Sequence, residues 1–287
     1  MKTITKQIPN LLTLSNLLCG CLAIKYAFEW DLVMAAYLVG LACIFDFLDG
    51  FVARLLKVSG EMGKQLDSLA DMVSFGVVPG VVMFQMMRAV DWAFRTKESA
   101  NFELTTLDFG LTYEDYYSPL CYSSFLIIIL SAYRLAKFNI DSRQTDKFIG
   151  LPTPANAIFI LSIPLFLNWH KKKLLFSMFF SSDEILSDLP SKGLSHEALF
   201  KDATYLGSIF NIYFLIVITL IFSFLLIAEL PLFALKFKNF TWSDNKIRFI
   251  FLTISLVMLI IFQVMAIPFI VILYILLSIL NNLIFKQ

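Results

Sequence analysis

Apolar runs long enough to cross a bilayer recur along almost the whole chain, and no water-facing fold can hide them all. A helix needs about 20 such residues to cross roughly 30 Å of hydrocarbon. Eight segments meet that need: Leu11–Phe28, Leu32–Leu55, Leu66–Val90, Leu120–Phe138, Pro154–Trp169, Leu206–Leu230, Ile247–Met265 and Ile267–Leu283. Hydrophobic residues make up 59% of the chain and charged ones 16%, against about 45–50% and about 25% in soluble domains. Mean hydropathy is +0.77. The last two segments form one run that would be about 55 Å long as a single helix, too long for one crossing. Pro268 and Gln263 within it predict a tight helical hairpin. The reading is an all-α integral membrane protein, a polytopic helical bundle of about eight transmembrane helices, with seven as the open alternative.

Several classes drop out. The 30 Phe exclude a disordered chain. Cys19, Cys21, Cys43 and Cys121 lie in apolar stretches with neither zinc-type spacing nor a disulfide framework. A net charge of +1 supplies no field for nucleic acid. Met1–Lys6 is mildly basic, but no A-x-A site closes the run behind it, so Leu11–Phe28 reads as a span. With the N-terminus in the cytoplasm, Lys and Arg favour the inner segments. The outer loops Asp91–Ser118 and His170–Tyr205 are acid-rich and read as small amphipathic caps. His170 and His196 fall on that outer side.

The informative stretch is Asp46–Asp71, where four Asp sit at or inside span ends near the inner face. Asp46 and Asp49 are i,i+3 and Asp67 and Asp71 are i,i+4, so each pair shares one helix face. Gly50 and Ala53 continue the face of Asp46 and let a bulky ligand approach the backbone. A short loop, Lys57–Gln65, returns the second pair antiparallel to the first, so all four carboxylates converge. Burying four Asp at roughly 2.5–3.5 kcal/mol each would cost on the order of 10–14 kcal/mol, before their mutual repulsion. Arg54 is too little compensation. One or two divalent ions on hard oxygen ligands are the natural complement, with Mg²⁺ or Mn²⁺ the best suited. Snorkelling caps are the bland alternative. Asp46 and Asp49 argue against it, because they lie near a helix C-terminus, where a carboxylate opposes the dipole.

The spacing Asp46-x2-Asp49-Gly50-x2-Ala53-Arg54-x8-Gly63-x3-Asp67-x3-Asp71 resembles the signature of the CDP-alcohol phosphatidyltransferase family at every fixed position. That resemblance implies a membrane enzyme that moves a phosphatidyl group from a CDP-linked lipid to an alcohol and releases CMP. It implies two metal ions on Asp46, Asp49, Asp67 and Asp71, with Asp71 also the general base. It assigns Gly50 and Arg54 to the pyrophosphate region, with Ala53 and Gly63 in the same CDP-lipid pocket. Some relatives carry a ligand-contacting Ser or Thr six positions after the motif Arg. Gly60 stands there in this chain, and the neighbouring Ser59 is the candidate for that role. The segments Ile8–Thr13, Ser74–Gly76, Arg134–Asn139 and Gly150–Pro154 resemble the membrane-bound, serine-accepting branch of the family. The resemblance then covers roughly residues 8–165. It implies CDP-diacylglycerol and L-serine as substrates, a site at the cytoplasmic face of the cell (inner) membrane, and a homodimer by analogy.

The parts suit that chemistry. Paired metals neutralise the leaving and attacked groups of an in-line displacement, and Arg54 adds a guanidinium to non-bridging oxygens. Serine needs a cation for its carboxylate. Arg134, Lys137 and Asn139 stand at the inner end of the fourth span as acceptor-binding candidates, with the positive-inside rule as the other reading of both cations. The Gly150–Pro154 turn is either a helix start or an anion site. Asn10 and Thr13 either cap the first span or touch the nucleotide. Glycerol 3-phosphate or an inositol is the alternative acceptor, although a phosphorylated one calls for a denser cationic pocket. A divalent-cation transporter is the competing class. It fits less well, since the acids lie at one interface, no second cluster continues them, and Arg54 repels a cation. The reading divides the chain into residues 1–230, the transferase domain, and 231–287, a C-terminal hairpin.

Overall fold

The computed structural model describes residues 7–58, 60–99, 118–140, 147–179, 211–233 and 241–285. Helix α1 (Gln7–Phe28) packs along α2 (Leu32–Leu55). Trp30, at φ 65°, turns the chain between them, and the Asp31 side chain accepts from the Met34 N–H at 2.9 Å to start α2. Then come α3 (Glu61–Asp71), a π-helical stretch Met72–Val77 and α4 (Val78–Ser99). A 3-10 turn, Pro119–Ser124, leads into α5 (Phe125–Ile140). Strand β1 (Lys147–Ile149) precedes α6 (Thr153–Phe179), and α7 (Ile212–Ile227) precedes β2 (Pro231–Phe233). The described chain ends in α8 (Trp242–Phe262), a 3-10 turn Gln263–Met265 and α9 (Ala266–Phe285).

Among the described residues, five segments are long and apolar enough to cross a membrane: Gln7–Phe28, Leu32–Leu55, Glu61–Asp91, Pro119–Ile140 and Asn245–Leu283. Thr153–Trp169 and Ile212–Ile227 are shorter apolar helices. The all-α membrane architecture expected from the apolar runs is the one observed. The last run breaks where the hairpin was expected, at Gln263, whose φ of 51° and ψ of −129° no helix allows. Helices α8 and α9 pack against each other across that break.

Helix α4 is the axis of the bundle. Val78, Val82, Met83, Met86 and Met87 are fully buried, and burial on all sides belongs to a central helix. Helix α1 shows the opposite pattern, one narrow inward stripe. Thr13, Asn16, Cys19, Gly20, Ala23 and Ala27 face in, while Leu11, Leu14, Leu18 and Leu22 face out. Lipid gives apolar side chains no reason to hide, so small residues that allow close backbone approach decide which face packs. Gly20 is one such approach: a Cβ there would stand 2.5 Å from Ser74 Oγ.

Four boundaries differ from expectation. Helix α3 begins at Glu61, so Lys57–Gln65 is not all loop and Asp67 lies nearly two turns inside a helix. Glu, Lys and Gln are good helix formers, and Gly60 marks the start. Helices α4 and α6 run on to Ser99 and Phe179, past Val90 and Trp169, because a helix does not stop where its apolar stretch does. Helix α7 stops at Ile227, where Ala228 turns extended at ψ 136° and leads into β2. The β1–β2 ribbon was not foreseen, since strands of three residues carry no readable alternation. Residues 100–117 and 180–210 of the outer insertions lie outside the described residues, as does His196.

The π-helical stretch directly follows Asp71. Pro79 has no N–H to donate to Phe75 O, and its ring crowds that carbonyl. The N–H of Val78 reaches back five residues to Val73 O, so the turn widens there. Pi turns of this kind are frequent beside functional sites.

Candidate active site

Asp46 and Asp49 stand in the last three turns of α2, and Asp67 and Asp71 in the second half of α3. The short return brings three of the four carboxylates into one cluster. One carboxylate oxygen from each of Asp46, Asp49 and Asp67 lies within 4.8 Å of the other two. Asp71 stands outside that trio, within electrostatic range of Asp46 and Asp67.

Helix α1 supplies the polar partners. Thr13 Oγ1 lies 2.6 Å from Asp49 Oδ2 and 3.1 Å from Pro9 O. Its single proton goes to the closer, charged acceptor. One turn further on, Asn16 is fully buried and donates from Nδ2 to Asp71 Oδ1 at 3.4 Å. Ser74 Oγ, in the π stretch, donates to Asn16 O at 3.1 Å. One face of α1 therefore orients one carboxylate from each Asp pair.

Beside the trio opens a cavity of about 440 Å³. Asn10, Thr13, Asp49, Gly50, Ala53, Gly63 and Asp67 all line it, together with Lys64. All five non-acidic residues in that set were expected to touch a CDP-lipid. A Cβ at Gly50 would stand 3.6 Å from Arg54 Nη1, so the exposed Arg54 lies over the Gly50 face. A Cβ at Gly63 would stand 3.5 Å from Asn10 Oδ1, so the glycine keeps α3 close to α1. Ser59 lies outside the described residues.

The donor set fits a divalent cation. It consists of hard carboxylate oxygens in one cluster, and Asp67 Oδ1 is buried with no hydrogen-bond partner. An orphaned carboxylate oxygen is costly unless a cation takes it. Replacing Thr13 with Val keeps the shape and removes the bond to Asp49. Partners of ligating groups typically matter about 10–100-fold. The Mn²⁺ concentration for half-maximal activity of Thr13→Val is expected to rise about tenfold, which a metal titration of activity measures.

The three acceptor-site candidates are not gathered at one point. Arg134, in α5, is buried, lies within electrostatic range of Asp71 and donates from Nη1 to Thr153 Oγ1 at 3.4 Å. Its Nε has no partner. Lys137 turns to Glu229 at 3.0 Å. Asn139 donates from Nδ2 to Ser68 Oγ at 2.9 Å and so ties α5 to α3. Only Arg134 adjoins the carboxylates. Helix α6 does begin at Thr153, at the Gly150–Pro154 turn.

Sequence reasoning missed Asn16 and Asn156. Asn156 is fully buried in the first turn of α6, with both side-chain polar atoms unpartnered. The signal for Asn16 was present: Asn10, Thr13 and Asn16 repeat every third residue in a mostly apolar helix. Asn156, likewise, follows Thr153 by three.

A trio of clustered carboxylates inside apolar helices, two of them lining a cavity shared with the motif glycines, defines the class. The family profile for CDP-alcohol phosphatidyltransferases matches residues 6–183, and the chain belongs to that family. Its relatives sharpen the comparison. A Helicobacter pylori CDP-diacylglycerol–serine O-phosphatidyltransferase is 35% identical over 155 residues, which cover 53% of this chain and 55% of that protein. Its Bacillus subtilis counterpart is 33% identical over 148 residues, 51% of this chain and 69% of that one. An archaetidylserine synthase of Methanothermobacter thermautotrophicus is 33% identical over 161 residues, 55% and 58% of the two chains. The match thus spans little more than half the length of the Helicobacter protein.

Proposed function

We propose that this protein transfers the phosphatidyl group of CDP-diacylglycerol to the hydroxyl of L-serine, giving phosphatidylserine and CMP. The observation that carries the reading is the carboxylate trio of Asp46, Asp49 and Asp67, two of which, Asp49 and Asp67, line the glycine-lined cavity. Relatives named for serine transfer support the acceptor. Asp46, Asp49 and Asp67, with Asp71 adjoining, would hold one or two Mg²⁺ or Mn²⁺ ions. When bound, such ions neutralise charge on the pyrophosphate and on the departing CMP.

The remaining work falls to side chains. The cavity formed by Asn10, Thr13, Gly50, Ala53 and Gly63 receives the nucleotide and pyrophosphate, with Arg54 placed over non-bridging oxygens. Arg134 takes the serine carboxylate. Asp71 accepts the proton as the serine oxygen bonds to the phosphorus that carries diacylglycerol, and the bond from that phosphorus to CMP breaks. A serine hydroxyl is far too weak an acid to react without such a base. The site lies at the cytoplasmic interface of the cell membrane, where acyl chains stay in lipid and serine arrives from water.

The test is CMP release by detergent-purified protein from CDP-diacylglycerol with Mn²⁺ or Mg²⁺, with and without EDTA. Serine, glycerol 3-phosphate, inositol and no acceptor are compared. Serine-dependent, chelator-sensitive release is expected. Release with another acceptor instead would keep the family and refute the serine assignment. In the same assay Arg134→Ala is expected to raise the serine KM about tenfold or more, the loss of one charge-assisted hydrogen bond, with the CDP-lipid KM nearly unchanged. Lys137→Ala should do less, because Lys137 is paired with Glu229.

A further inference from the structure

We propose that the C-terminal helix α9 positions the acceptor side of the site, acting through Tyr274 and Asn282 on the β1–β2 ribbon; the role assigned to that side rests on the serine-transfer reading. The matched family region ends at residue 183, and β2 and α9 lie beyond it.

The relay can be followed bond by bond. Arg134 is held by Thr153, the first residue of α6. Thr153 follows directly on Gly150–Pro152, and that segment is anchored from outside. Strand β1 pairs antiparallel with β2, Lys147 opposite Phe233, Phe148 opposite Leu232 and Ile149 opposite Pro231. The Gly150 N–H donates to Leu230 O at 3.0 Å, and the Leu151 N–H to Leu225 O at 2.8 Å. Gly150 sits at φ +80°, and a Cβ there would stand 2.7 Å from Leu226 O. The acceptor turn is therefore pressed onto the end of α7 and the start of β2.

A ribbon of two three-residue strands is marginal alone, and α9 covers its far edge. Tyr274 Oη donates to Phe233 O at 3.0 Å, and Asn282 Nδ2 donates to Pro231 O. In a strand, alternate carbonyls point to the same edge, so α9 takes both carbonyls of the edge turned away from β1. Pro231 offers no N–H on that edge to leave unpaired. The Phe233 ring meets Tyr274 edge-on at 5.0 Å and Phe251 of α8 at 5.9 Å. Tyr274 is also within electrostatic range of Arg134. The hairpin thus holds β2, β2 holds β1 and Gly150, and these set Thr153 and Arg134.

The test uses the full-length protein carrying Tyr274→Phe and Asn282→Ala together, with Ser278→Ala as control. Ser278 is buried on the same helix, and its hydroxyl bonds back to Tyr274 O within α9. The double variant is expected to raise the serine KM about five- to tenfold, as loss of two modest hydrogen bonds implies, while the CDP-diacylglycerol KM stays within about twofold. Ser278→Ala should leave both near wild type. Restoring Asn282 alone should recover part of the serine KM. A serine KM unchanged in the double variant, or both KM values rising together, would overturn the proposal. Hydrogen exchange gives a second readout that needs no turnover. Amides of residues 147–153 should exchange faster in the double variant, while those of 46–71 should not. A wild-type protein that releases no CMP with serine would refute the serine reading alone. Unchanged exchange at 147–153 would still sink the positioning role.

Discussion

Asp71→Asn is expected to lower the rate of CMP release at least about a hundredfold, the lower end of what a positioned general base contributes, with CDP-diacylglycerol binding kept within a few-fold. The geometry separates the two effects. Asp71 stands outside the oxygen cluster of Asp46, Asp49 and Asp67, and outside the lining of the cavity. Its Oδ1 is steadied by Asn16, and Arg134 stands within electrostatic range. An amide in its place keeps the volume and loses the ability to take a proton. Single-turnover CMP release measures the first quantity, and equilibrium binding of labelled CDP-diacylglycerol the second. Near-normal turnover would remove Asp71 from the proton transfer. Loss of lipid binding in parallel with turnover would make it a binding residue instead.

Asp67→Asn should act on stability with opposite signs in two conditions. An ion that binds only the folded protein at a hundred times its Kd stabilises by about 2.7 kcal/mol. At roughly 2–4 °C per kcal/mol for a chain of this order, wild-type protein should melt about 5–10 °C higher in saturating Mn²⁺ than in EDTA. Asp67→Asn should lose most of that gain. In EDTA it should match or exceed the wild type, because one of three carboxylates within 4.8 Å of one another is then neutral and their repulsion falls. Thermal unfolding in detergent reads both numbers. A variant less stable than wild type in EDTA, yet still raised by Mn²⁺, would show Asp67 to be a packing residue and not a ligand.

Much of this site was legible because lipid makes charge conspicuous. Asp46, Asp49, Asp67 and Asp71 stand out in apolar helices, and their spacing alone places each pair on one face. Gly50, Ala53 and Gly63 were readable because close approach demands small residues. The spans were readable for the reason α8 and α9 illustrate, long apolar runs with a break at Gln263. What escaped reading depends on contacts far apart in sequence. Nothing local to Lys137 announces Glu229, nor does Asn139 announce Ser68, so sequence alone does not separate these three neighbouring polar residues. Asn16 was hidden differently. The row Asn10, Thr13, Asn16 gives it a face, but not its partner Asp71, which lies 55 residues away. The ribbon partners β1 and β2 are separated by the whole of α6 and α7.

The widened turn at Met72–Val77 bears on how the acidic and the fully buried halves of this segment relate. An ordinary helix transmits angular phase without loss, so whatever orients α4 in the bundle would also aim Asp67 and Asp71. A π turn interrupts that transmission, acting as a phase shifter between two rotors. Helix α4 buries its Val and Met face among its neighbours, while Asn16 and Asn139, from the helices beside it, hold α3. The acidic pair therefore faces a direction that an uninterrupted helix of the same sequence would not give it.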